Sequence, residues 1–76
     1  MMKLPNKFIT YKDSVLYKMP KFLNHLKNCD LSLKELYKKT NKDVNNIQEF
    51  IDVLDCLFML GEIEIKGEII HYVKRN

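Results

Sequence analysis

The chain has 76 residues, 46% of them apolar and 30% charged, with a formal net charge of +3, 2 Gly, 2 Pro and 2 Cys. That composition fits one small folded domain near the lower size limit for an apolar core, and it leaves no room for a linker, a low-complexity segment or an internal repeat. Cys29 and Cys56 stand far apart and singly, which argues against a disulfide scaffold or a C-x-x-C zinc pair and for two reduced thiols.

In chain order, residues 1–11 read as an extended arm. Pro5, within Leu4-Pro5-Asn6-Lys7, forces an extended or turning path, and a short strand is expected around Lys7 to Thr10. A first helix is predicted over 13–28, capped by Asp13 or Ser14. Val15, Leu16, Met19, Phe22, Leu23 and Leu26 recur there at helical spacing, and Pro20 introduces a kink or a fresh start.

A second helix is predicted over 32–40. Ser32 and Glu35 form a capping box, and Leu31 with Leu36 supplies the hydrophobic staple. After the turn Asn41-Lys42-Asp43, with Asp43 as cap, a third helix is predicted over 44–60. Ile47, Phe50, Ile51, Leu54, Leu57 and Phe58 line one face of it, and Gly61 stops it. A hairpin follows over 62–73 with Lys66-Gly67 at its tip, which sets Ile63 opposite Ile70 and His71 opposite Glu62. The fold class is therefore mainly α with a C-terminal β-hairpin, a single winged helix-turn-helix-like domain over 1–76.

Domains of that shape often place the third helix in a DNA groove, with Lys or Arg meeting phosphates. Here the helix is expected to offer Glu49, Asp52 and Asp55 to solvent, and the hairpin Glu62, Glu64 and Glu68. The charge is split along the chain. Residues 1–42 carry ten lysines against Asp13, Asp30 and Glu35, net +7; residues 43–76 carry seven acids against Lys66, Lys74 and Arg75, net −4. Such a split either steers an oriented partner or is a solvated surface whose lysines favour helix. The phosphate-facing candidates are Lys18, Lys21, Lys34, Lys38, Lys39 and Lys42. With a single Arg in the chain, contacts from them would be to backbone and insensitive to sequence.

The third helix also carries surplus apolar groups, Val53, Cys56, Met59 and Leu60, off its main stripe. Either they form an interface, or the first helix and the arm wrap them. No catalytic constellation stands out. His25 and His71 are isolated, Ser32 is explained by capping, Cys56 has no nearby histidine, and Asp52 with Asp55 supplies too few oxygens for a hard metal. There is no Gly-rich phosphate loop and no apolar run able to span a membrane or act as a signal peptide. The expectation is a cytoplasmic protein that is not an enzyme, with no cofactor, metal, membrane or small-molecule substrate.

Leu4-Pro5-Asn6-Lys7, Asp13-Ser14-Val15-Leu16, and the closing pattern Phe50, Leu54, Leu57, Leu60-Gly61, Ile63 resemble the small middle components of bacterial ABC-three-component systems, which overlap the Lamassu-type antiphage defence systems. The resemblance implies an adaptor that assembles with an SMC- or Rad50-like ABC ATPase and an effector, commonly a nuclease, and that meets DNA only through the complex. The partner-binding residues expected on that basis are Leu4, Pro5, Asn6, Lys7, Glu49, Asp52, Val53, Asp55, Cys56, Met59 and Leu60. The alternatives are a free-standing DNA-binding transcriptional regulator and an antitoxin-like inhibitor of a basic toxin.

Overall fold

The structure, a computed structural model, describes residues 7–73, with side chains described from Tyr11 onward. Its elements run α1 (Lys7–Leu26), β1 (Leu31–Ser32), α2 (Leu33–Thr40), α3 (Ile47–Met59), β2 (Ile63–Lys66) and β3 (Ile69–Tyr72). The expected class holds: mainly helical, closed by a C-terminal hairpin. One strand is additional to the predicted elements. Leu31 and Ser32 pair with β3, giving a three-stranded antiparallel sheet in the order β1-β3-β2. Two residues are too few to show a period of two, so the sequence carries only their role as a helix start.

That helix start is as expected. The Glu35 amide donates to Ser32 Oγ at 3.1 Å, and the Ser32 amide donates to Glu35 Oε1 at 2.9 Å, completing the capping box. Residues 7–11 are a correction. Lys7–Thr10 belong to α1 and not to an extended arm or strand, so Asp13 and Ser14 lie inside a helix and cap nothing. Proline restricts the residue before it, and its influence does not reach two positions downstream. Nor does Pro20 begin a new helix: α1 is continuous across it. Pro20 is exposed, so the Leu16 carbonyl that its ring deprives of a donor lies on the wet side, where water can serve it.

The cap of α3 is Asn46 and not Asp43. Asn46 Oδ1 accepts from the Glu49 amide at 2.9 Å, and the chain between α2 and α3 is correspondingly longer. Gly61 ends α3 as expected, at φ +76. The Glu62 amide reaches the Leu57 carbonyl at 2.9 Å and the Gly61 amide reaches Phe58 at 3.0 Å, the two bonds of a Schellman motif.

The hairpin register differs from the expected one. Ile65 faces Ile70 and Lys66 faces Ile69, so Gly67-Glu68 is the loop, and His71 sits opposite Glu64 rather than Glu62. The slip is by two residues, so Ile63, Ile65, Ile70 and Tyr72 still share a face. Gly67 takes φ +62 at the first loop position, where a hairpin turn of this hand needs glycine. Nothing lies within 4 Å of a Cβ added there, so the constraint is conformational and not spatial. Gly67→Ala is therefore expected to cost roughly 1–2 kcal/mol, read as a lowered thermal midpoint with the helical circular-dichroism signal intact.

The core gathers Val15, Phe22 and Leu26 of α1, Leu31 of β1, Leu36 of α2, Val44, four α3 residues (Phe50, Val53, Leu54, Leu57), and Ile63 and Ile70 of the sheet. Phe50 lies at the junction of the three helices. Its ring centroid is 5.5 Å from that of Phe22 and 4.9 Å from that of Tyr37, the latter edge-on. The buried face of α3 is turned from the one that periodicity predicts, while α1 departs from its predicted face at Leu16 alone. Val53 is fully buried, whereas Leu16, Ile47, Ile51 and Phe58, expected in the core, are exposed by 59%, 52%, 42% and 54%.

A candidate protein-docking surface

Glu49 decides which way α3 faces. Charge and position suggest solvent for it, yet its side chain is 0% exposed. Its Oε1 accepts from Lys18 Nζ at 2.6 Å and from the Asn45 amide at 2.7 Å, while Oε2 accepts from Ser14 Oγ at 2.8 Å. A buried carboxylate is tolerable only when donors replace water, and here α1 and the α3 entry loop supply three. Glu49 is therefore not available to a partner. Lys18, expected to face phosphate, is consumed in the same pair and is 12% exposed at its side chain.

Burial by itself pushes the Glu49 carboxyl up. The hydrogen bonds from Lys18, from Asn45 and from Ser14, with the Lys18 charge, outweigh it and hold the group below its ordinary value of 4.5. A carboxyl depressed in the folded state gives stability that is complete above the unfolded value and lost as pH falls through the lower folded one. The thermal midpoint is expected to hold from neutral pH down to about 5 and to fall below it. Glu49→Gln should start lower and fall less steeply, as read by circular-dichroism melts across that range.

Turning Glu49 and Val53 inward brings other residues out. Of the expected docking residues, Leu4, Pro5, Asn6 and the Lys7 side chain lie outside the described residues. Val53, like Glu49, is withdrawn into the core. Asp52, Asp55, Cys56 and Met59 do come together, along an open groove of about 410 Å³ whose other wall is Tyr11, Lys12, Val15 and Leu16 of α1. Met59 is 83% exposed. Tyr11 donates to Asp52 Oδ2, and Gln48 Nε2 donates to Asp52 Oδ1 at 3.0 Å, so Asp52 is held in place at the rim. That bond to Asp52, then burial and the Asp52 charge, push the Tyr11 phenol up to about 12. Leu60 lines an adjoining hollow of about 330 Å³ with Leu16, Met19, Pro20 and Leu23.

The sequence pattern does not predict the α1 wall, because Leu16 falls on the same helical period as true core residues. Nor does it predict a second apolar groove of about 320 Å³ between α2 and α3, lined by Leu33, Lys34, Tyr37, Ile47, Phe50, Ile51 and Leu54. The Asn46–Glu49 spacing is the signal that would have placed the α3 start, though the same spacing at Ser32–Glu35 leaves its Glu exposed, so it does not set which face is buried. Lys21, Lys34, Lys38, Lys39 and Lys42 are not buried, Lys21 standing 6.0 Å over the Tyr17 ring. His71 Nδ1 lies 2.8 Å from Asp30 Oδ1, with both side chains about half exposed. Cys29 is exposed, and Cys56 is half-buried.

Among the described residues no His, Cys, Asp or Glu cluster is placed to hold a metal ion, and no helix is long and apolar enough to cross a membrane. The surface offers apolar grooves edged by a few charges: Lys12, Asp52 and Asp55 beside one, and Lys34 beside the other. Against known families, the model for the ABC-three component (ABC-3C) system Middle Component 7 matches residues 4–71. The chain belongs to that family. The match spans all three of the motifs that carried the resemblance, Leu4-Pro5-Asn6-Lys7, Asp13-Ser14-Val15-Leu16 and the closing pattern from Phe50 to Ile63. It makes the chain a middle component of a multi-component ABC-3C system, for which protein partners are the natural expectation. No curated protein and no solved structure matches the chain.

Proposed function

We propose that the chain is a non-catalytic adaptor of a cytoplasmic antiphage defence complex of the Lamassu type. It is a winged-helix subunit that holds an SMC- or Rad50-like ABC ATPase, its effector nuclease, or both. The observation that carries this reading is the open groove between α1 and α3, walled by exposed Leu16 and Met59 and edged by Asp52 and Asp55. In a winged-helix regulator the corresponding helix meets phosphate. The sequence of α3 contains no Lys or Arg, and its outward side carries Asp52 and Asp55 beside Ile47, Ile51, Phe58 and Met59. Phosphate is repelled from such a face, whereas an apolar protein surface gains by covering it.

DNA would reach the chain only within the complex, through Lys21, Lys34, Lys38, Lys39 and Lys42, by contacts to backbone. The toxin-inhibitor alternative is weaker than the sequence suggests, since one of its three acids, Glu49, is already paired inside the chain.

Two measurements on the purified chain test the proposal: binding to the ATPase and to the effector of its own system, and a DNA titration. Association with either protein at roughly micromolar affinity or tighter, with no DNA binding by the isolated chain, supports the adaptor. Salt-steep DNA binding without either protein would make it a regulator.

A further inference from the structure

We infer that the two grooves beside α3 are separate docking sites of opposite charge preference, so that the chain bridges two different protein components. The inference rests on the adaptor reading and assigns its contacts. The grooves share no residue and lie on opposite shoulders of α3. Asp52, Cys56 and Met59 face α1, while Ile47 and Ile51 face α2. Gln48 and Asp55 form the outward ridge between them, with Asp55 at the lip of the first groove.

Their rims differ in sign. The charged residues lining the α1–α3 groove are Asp52 and Asp55 against Lys12; the one lining the α2–α3 groove, among the described residues, is Lys34. An occupant of the first groove is favoured if it carries Lys or Arg beside an apolar stripe. An occupant of the second is favoured if it carries Asp or Glu there. Like charge at either rim opposes the wrong occupant, so each component is directed to one side. Each groove is open and lies between two helices, a shape that fits a single amphipathic segment laid along it.

The test measures affinities of the full chain for each of the other two components of its three-component system, taken separately. Met59→Lys and Ile47→Glu place a charge in one groove each, at positions 83% and 52% exposed, so the fold survives and circular dichroism verifies it. Met59→Lys, which sets a cation against a cationic occupant, should weaken one component roughly tenfold or more and leave the other within about twofold; Ile47→Glu should do the reverse. Asp55→Lys should weaken the component that Met59→Lys weakens, and Lys34→Glu the component that Ile47→Glu weakens. If both apolar variants weaken the same component, or neither weakens any, the two-site assignment is overturned while the adaptor reading stands. Binding of the wild-type chain to one component alone would overturn it in the same way. If the chain binds neither, both readings fall together.

Discussion

Lys18→Ala should lower the unfolding free energy by roughly 3 kcal/mol, the lower end for removing one partner of a buried ion pair. The lower end applies because the Lys18 side chain keeps 12% of its exposure. The cost is not the lost attraction alone. With Lys18 gone, Glu49 stays fully buried with only the Asn45 amide and Ser14 Oγ to replace water. A domain of this length holds roughly 4–11 kcal/mol in all, so the variant would be visibly marginal in a urea titration. The double replacement Lys18→Met with Glu49→Leu should recover a good part of the loss, because removing both charges also removes the desolvation that each requires. Recovery would identify the pair as a device that orients α3 rather than a source of stability. No loss in the single variant would mean that Glu49 is served by water.

Phe50→Ala should cost about 3–5 kcal/mol, the range for deleting a buried aromatic and leaving a cavity. Phe50 is 4% exposed and touches both Phe22 of α1 and Tyr37 of α2, so no single neighbour can move in to fill the space. Phe58→Ala, on the same helix, should cost under about 1 kcal/mol because that ring is 54% exposed. The sequence pattern gives Phe50 and Phe58 equal standing on one apolar stripe; denaturation midpoints of the two variants separate them. Equal losses would return α3 to the rotation that periodicity suggests and would bury Ile47 and Ile51, closing the α2–α3 groove.

Those two experiments meet at the rotation of α3, and the difference between them shows where sequence reasoning stops. Helix ends are local matters. The Ser32–Glu35 box is readable because the residues that make it are three apart and need nothing distant. Gly61 is readable for the same reason, since a positive φ is a property of one residue. The tight hairpin and its shared face of Ile63, Ile65, Ile70 and Tyr72 are legible, while its register slips by two because either side of Gly67 can close a two-residue loop.

What needed the tertiary structure is what depends on residues far apart. Ser14 and Lys18 lie 35 and 31 positions from Glu49, and their donors make a buried carboxylate tolerable. No local pattern encodes that. Once Glu49 turns inward, Val53 follows it and Ile47, Ile51 and Phe58 turn out, which moves the docking surface without changing its composition. The two-residue β1 likewise exists only because β3 offers it an edge, Leu31 against Ile70 and Ser32 against Ile69. The helical class, the ends of α2 and α3, the want of cations on α3 and the surplus of apolar groups there all follow from neighbouring residues. Which of those groups meet water is fixed by contacts across the fold and not along the chain.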